Sequence, residues 1–161
     1  MKNELPDGWE WKKLGDITEI KKGSTITKNT IVEGTIPVIA GGRSPAYFHN
    51  EPNRDGETIT VSASGAYAGY VNYFNTTIFA SDCSTIISKK SESLSTKYIY
   101  WNLKAHQNQI YQFQKGGGQP HVYPKDLQRL NISIPPLETQ HKIVAILEKA
   151  EETKKFRAQA D

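Results

Sequence analysis

Cys83 is the only cysteine in 161 residues, so no disulfide can form within the chain and a disulfide-stapled secreted domain is excluded. No apolar run approaches the roughly 18 residues that a membrane-spanning helix needs. The opening MKNELPDGWEWKK has a lysine but no apolar segment behind it, which argues against a secretory leader and makes the cytoplasm the expected compartment. The histidines, His49, His106, His121 and His141, are scattered. None has metal-ligand spacing, so no metal site is expected. Gly116-Gly117-Gly118 is not followed by the Lys-Ser or Lys-Thr of a nucleotide-binding loop. No internal repeat is visible.

Catalytic patterns are equally scarce. Cys83 stands beside Asp82, but no histidine falls in a known cysteine-nucleophile pattern. A half-buried structural thiol is the better reading, and a small hydrolase built on Cys83 the weakest alternative. Ile134-Pro135-Pro136-Leu137 superficially resembles the Asn/Asp-Pro-Pro-aromatic motif of adenine amino-methyltransferases. It lacks the amide or acid that would hold the amine and the aromatic that would stack on the base. No catalytic residue is assigned.

What is present is a polar, aromatic-rich chain with eight Tyr, five Phe and three Trp, enough to build one core. The net charge of +3 permits a nucleic-acid partner without demanding one. The stretch Lys115–Ala150 organises the rest. It runs through three glycines, a polar turn, the strand-like Asn131–Ile134, a double proline and an apolar-striped helix. Pro135 and Pro136 lack N–H groups and suit a strand end and a first helical turn. Glu138 complements the helix dipole there. Ile143, Ile146, Leu147 and Ala150 recur at three- and four-residue spacing, which predicts a helix interface. The stripe turns polar after Ala150, and no Gly or Pro ends the helix before Asp161, which suggests a longer native helix.

Upstream, Trp9 to Gly23 reads as a short strand followed by one or two helical turns, with Trp9 and Trp11 packed in the core or at an edge. Ser24–Glu33 reads as loop. Ile36–Ala40, Thr58–Ser62, Tyr70–Phe74, Ile78–Ala80 and Thr85–Ser88 read as short strands. Ala63–Gly69 reads as a small-residue hairpin. Ser95 or Thr96 is an N-cap candidate for a helix through Tyr98, Ile99, Trp101 and Ala105. The class is α+β: one globular domain with a strongly bent, mostly antiparallel sheet, then a protruding C-terminal helix. The expected division is residues 1–136 for the body and 137–161 for the helix.

The polar, glycine-containing loops between the strands could serve a duplex reader, which needs forked side chains for base edges and cations or amides for phosphates. Arg43 suits guanine, and Gln119 and Asn50 suit adenine. Lys115 with the Gly116–Gly118 amides, Gly117 at their centre, could hold a phosphate. Ser44, Tyr47, Ser62, Ser64, His121 and Tyr123 supply further polar contacts. We expect the loops at 42–49, 62–69 and 115–121 to share one face. Taken alone, these residues also fit ordinary loops.

Ile134-Pro135-Pro136-Leu137-Glu138-Thr139-Gln140 with Ile143-Val144 and Leu147 resembles the motif that ends a target-recognition domain in the specificity subunits of type I restriction–modification systems. Thr139 stands where that family usually has Glu. Leu5-Pro6-Asp7-Gly8-Trp9 with Leu14-Gly15-Asp16-Ile17 resembles its start. Ile36-Pro37, Gly41-Gly42, Ser62-Ala63-Ser64-Gly65-Ala66 and Gly69-Tyr70-Val71 resemble its middle. The resemblance implies a non-catalytic subunit that selects double-stranded DNA. It implies partner modification subunits that methylate adenine with S-adenosylmethionine, and a restriction subunit that uses ATP and Mg2+ to cleave. Full specificity subunits of that family carry two such domains, so this chain is expected to be a fragment, or a half-length subunit that self-associates through its helix. The alternative from another class is a non-catalytic protein–protein module.

Overall fold

The structure, a computed structural model, describes residues 4–161; the first three residues of the stretch weighed as a leader lie outside the described residues. In chain order, Glu10–Lys13 (β1) enters a single helical turn, Leu14–Ile17 (α1), and leaves as Thr18–Lys22 (β2). Ile36–Ile39 (β3), Tyr47–His49 (β4), Thr58–Ser62 (β5), Val71–Phe74 (β6), Phe79–Ala80 (β7) and Cys83–Ser88 (β8) follow. Thr96–Ala105 (α2), Gln107–Tyr111 (α3) and Pro124–Gln128 (α4) precede Asn131–Ile134 (β9) and the long Leu137–Ala160 (α5).

The strands form three small sheets rather than one bent sheet. β2-β8-β5-β6 is antiparallel throughout, β1 pairs with β9, and β4-β3-β7 completes the set. β3 and β7 run parallel, Val38 beside Phe79 and Ile39 beside Ala80. Strand alternation explains how β5 can be buried along its whole length. Ile59 and Val61 face the main core, where Ile86 on β8 lies directly opposite Ile59. Thr58, Thr60 and Ser62 face the other way and are buried as well. That side is polar and bonded: Thr85 Oγ1 accepts from Arg54 Nε at 2.8 Å, and Thr58 Oγ1 donates to the Asp55 carbonyl at 2.8 Å.

α2 closes the main core with Tyr98, Ile99 and Leu103, joined by Ile110 of α3 and Leu127 of α4. Ser95 is its N-cap, accepting the Tyr98 N–H at 3.3 Å. A second, smaller cluster of Ile39, Ile78, Ala80 and Cys83 lies under the three-stranded sheet. The chain steps from that sheet to the four-stranded one across Ser81-Asp82. That step sets the functional face described below.

Two local expectations differ, and α5 divides its faces. Thr18–Lys22 is a strand, because the turn of α1 ends where Thr18 bonds back to the Leu14 carbonyl at 2.6 Å and β2 zips onto β8. Trp11 is 52% exposed, so it is no core anchor. On α5, the side facing the body is centred on Gln140 and Val144, the only buried residues among its 24. Ile143 and Leu147 are half-buried, whereas Ala150 is exposed and Ile146 is 68% exposed.

Gln140 fastens the helix. Its Oε1 accepts the Ser95 N–H at 2.9 Å, and its Nε2 donates to the Pro135 and Ser93 carbonyls at 2.9 and 3.1 Å. A Lys97–Glu148 ion pair at 2.6 Å adds a second link to α2. Past Glu151 every residue of α5 is exposed, so the helix projects from the body. No helix among the described residues is long and apolar enough to cross a membrane.

Candidate nucleic-acid interface

Three loops are tied together by named bonds. Lys115 and His121 exchange backbone hydrogen bonds at 2.9 and 2.8 Å, which closes residues 115–121 into a hairpin. The hairpin leans on the 62–69 turn: Gly65 N–H donates to the Pro120 carbonyl at 3.0 Å, and Val122 N–H to the Ala63 carbonyl at 3.0 Å. The 41–49 segment joins through Ser62, whose Oγ donates to the Gly41 carbonyl at 2.7 Å. Asp82 sits where these meet. Its carbonyl accepts the Ala63 N–H at 3.1 Å, and its carboxylate accepts the Ser64 hydroxyl.

Two glycines are needed here. A Cβ on Gly41 would stand 2.7 Å from the Ser64 carbonyl and 3.1 Å from Asp82 Oδ2, so the close approach of the loops requires its absence. Gly116 has φ +107, a backbone that L side chains rarely adopt, and opens the hairpin. A Cβ on Gly117 or Gly118 would meet nothing within 4 Å, so the hairpin tip has open space around it.

The sequence-derived residues divide into two groups. Arg43, Ser44, Tyr47, Asn50, Lys115, Gly117, Gln119 and Tyr123 are exposed, and His121 is half-buried. Arg43 rides over the Tyr67 ring, 4.6 Å from guanidinium to centroid, which joins the first loop to the second. The His121 and Tyr123 rings stack at 5.9 Å with 17° between their planes, and the Lys125 ammonium lies 5.7 Å from the Tyr123 centroid. Ser62 and Ser64 are buried at 3% and 8%, with hydroxyls committed to Gly41 and Asp82. They fasten the loops rather than present polar groups outward. Tyr47 and Asn50 lie along and just past β4, at the edge of the three-stranded sheet.

Lys115 is not free in this arrangement. Its ammonium pairs with Asp126 Oδ1 at 2.7 Å, and Asp126 is only 4% exposed. Phe48 and Tyr67, 56% and 41% exposed, add apolar surface to the same loops. Sequence reading passed over Asp82, Asp126, Tyr67 and Phe48. The one available signal was an acid in the two-residue step between β7 and β8, where a side chain must serve two sheets at once. Beside the knot, a surface cavity of about 450 Å3 is lined by Lys22, Thr25, Asp82, Ser84, His121 and Tyr123 among others.

Cys83 is no nucleophile in this setting. Burial pushes its thiol up to about 12, and its Sγ lies 3.5 Å from the Ile39 carbonyl. Among the described residues, no three His, Cys, Asp or Glu side chains gather as metal ligands.

Comparison with known proteins agrees with this architecture. The family described as "Type I restriction modification DNA specificity domain" matches residues 6–160. A putative type I restriction enzyme specificity subunit of Haemophilus influenzae is 30% identical over 153 residues, covering 86% of this chain and 39% of that protein. The type I restriction enzyme MpnII specificity subunit of Mycoplasma pneumoniae is 30% identical over 150 residues, covering 86% of this chain and 43% of its own. The fold matches the crystal structure of a type I restriction–modification S subunit from M. genitalium with a TM-score of 0.83 at 24% identity, covering 99% of this chain and 43% of that one. The HsdS subunit from Thermoanaerobacter tengcongensis gives a TM-score of 0.76 at 22% identity, with 99% and 41% covered. The chain thus spans about two fifths of each of these four proteins. With a match over residues 6–160 and a fold to go with it, the chain belongs to the type I restriction–modification DNA specificity domain family.

Proposed function

We propose that this chain reads one half of a duplex DNA target on behalf of a type I restriction–modification complex. The observation that carries the reading is the fastening of three polar loops around Asp82, on a domain of this family. A base reader has to hold its forked side chains in fixed relation to one another, and these bonds supply that rigidity. Arg43, Gln119 and Asn50 would face base edges, while Lys115, Lys125 and the hairpin amides would face phosphates.

The chain itself would hold no cofactor and break no bond. Modification subunits carrying S-adenosylmethionine would methylate adenine, and a restriction subunit using ATP and Mg2+ would cleave, all in the cytoplasm. The projecting α5 would dock these partners, pair with a second copy or a second half, and set the distance between half-sites. A groove of about 960 Å3 along α5, lined by Tyr73, Tyr100, Trp101 and the acids Glu148, Glu151 and Glu152, lies beside that surface.

The exposed Phe48 and Tyr67 favour a second reading, a peptide-binding module. Binding of the chain to duplex DNA across a salt series separates the two. Phosphate contacts release counterions, so log affinity falls steeply and linearly with log salt. A flat profile, or no binding to duplex, rejects the DNA reading. Mapping methylated adenines in cells that carry the chain with its partner subunits then returns the target.

A further inference from the structure

We propose that Asp82 is a specificity-determining residue that reads the exocyclic N4 amine of a cytosine in the major groove, with Ser64 holding it in place. The inference rests on the DNA-reading function proposed above and goes beyond it, because it assigns a carboxylate, a group that phosphates repel, to a base edge.

Asp82 is exposed although it sits at the junction of two sheets and three loops. Only one of its oxygens is used: Oδ2 accepts the Ser64 hydroxyl, while no hydrogen bond or ion pair among the described residues engages Oδ1. Ser64 is itself 8% exposed, and its backbone is bridged to His121, which places its hydroxyl on the acid. The carboxylate is therefore fixed in direction with one acceptor spare. A Cβ on Gly41 would stand 3.1 Å from Oδ2, so the glycine keeps that side chain off the acid. Gly41 and His121 of the 115–121 hairpin adjoin it.

A carboxylate carries acceptors only. It matches the N4 amine of cytosine and is repelled by the acceptors of guanine, thymine and adenine N7. Bracing the loops occupies only Oδ2, and a neutral amide would do it without the repulsion that an acid adds to a surface approaching phosphates.

The test selects binding sites from a randomised duplex DNA pool with the full chain, and repeats the selection with Asp82→Ala and Asp82→Asn. The parent should yield a motif containing a cytosine. Asp82→Ala removes the Ser64 bond together with the base contact, so it should lose about tenfold or more of the preference for that cytosine, more than at any other position, and keep its salt dependence. Asp82→Asn is close to isosteric, retains an acceptor for Ser64 and gains a donor, so the same position should broaden to adenine, whose N6 and N7 suit an amide. A residue that only braced the loops would give the parental motif in the Asn variant. The inference fails if Asp82→Asn returns the parental motif, or if the position that degenerates is not a cytosine. It also fails if both variants lose all binding while circular dichroism shows them folded, since one lost base contact leaves phosphate-driven binding in place. A parent that returns no motif at all rejects the underlying DNA reading instead, and this inference with it.

Discussion

Lys115 holds its ammonium 2.7 Å from Asp126 Oδ1, and the other oxygen of that buried carboxylate has no partner. The pair fixes the root of the glycine hairpin on α4. Removing Lys115 therefore does two things: it takes a cation from the surface and strands a buried acid. Breaking a fully buried pair costs several kcal/mol, but Lys115 is half-exposed and solvent screens the loss, so Lys115→Ala should cost ~1–2 kcal/mol. Asp126→Asn should free the lysine and raise affinity for any duplex. Thermal unfolding of both single variants and the double variant checks this. Strictly additive effects would show the pair to be idle.

Arg43 rests on the Tyr67 face, so its guanidinium is restrained before any ligand arrives. Arg43→Ala should lose ~1–3 kcal/mol of discrimination at one base pair. Tyr67→Ala should lose part of the same discrimination at the same base pair, and Tyr67→Phe, which keeps the ring, very little. Competition binding with single-base-pair variants of the selected site measures all three. Losses at unrelated positions would disprove the coupling.

Much of this was legible from residue order alone. Thr58–Ser62 and Val71–Phe74 are strands flanking a small-residue turn, Ser95 caps α2, and the double proline separates β9 from α5, all as pattern and capping chemistry predict. The helix side that packs was not legible. The apolar stripe through Ile143, Ile146, Leu147 and Ala150 points to a partner helix and not to the body, and no pattern points to Gln140, which takes the most buried place because its amide satisfies backbone groups of two other segments. Ser62 and Ser64 misled for a related reason: a hydroxyl in a loop looks available until its partner, distant in sequence, is known. Asp82 and Asp126 were overlooked because their partners lie 18 and 11 residues away. Long-range pairing leaves no periodic trace.

The buried thiol gives a pH prediction. An ordinary thiol loses its proton near 9.0, whereas burial holds Cys83 protonated up to about 12. Between these values the unfolded chain binds fewer protons than the folded one, so stability falls as pH rises from about 9 to about 12. Tyr73, raised by burial from 10.0 to about 12, adds to the upper part of that fall. Cys83→Ala should flatten the part below pH 10. Melting temperatures across pH 8–11 check this, with ~10 the dividing point between the two groups. The native thiol should also resist alkylation at neutral pH and react on unfolding.

Gln140→Leu should loosen α5 from the body. The substitution keeps the volume but strands the Ser95 N–H and the Pro135 and Ser93 carbonyls, at ~1–3 kcal/mol for an unsatisfied buried group. Hydrogen exchange should accelerate first in the opening turns of α2 and α5, which share the lost bonds. Unchanged protection there would mean that Val144 and the Lys97–Glu148 pair hold the helix without it.

Ile146 and Val144 separate packing on the body from the docking proposed for α5. Val144 belongs to the main core and is 8% exposed, so Val144→Ala should cost ~1–3 kcal/mol of stability. Ile146 is 68% exposed, so Ile146→Asp should change stability by no more than ~0.5 kcal/mol. An aliphatic side chain left in water on a projecting helix is spare contact area for another protein. A carboxylate placed there should therefore abolish association, with a second copy or with a purified modification subunit, while the melting temperature stays put. Light scattering on the chain alone and on the mixture measures both kinds of association. If Ile146→Asp assembles like the parent, the docking side of α5 is elsewhere, and the groove beside Trp101 becomes the surface to alter next.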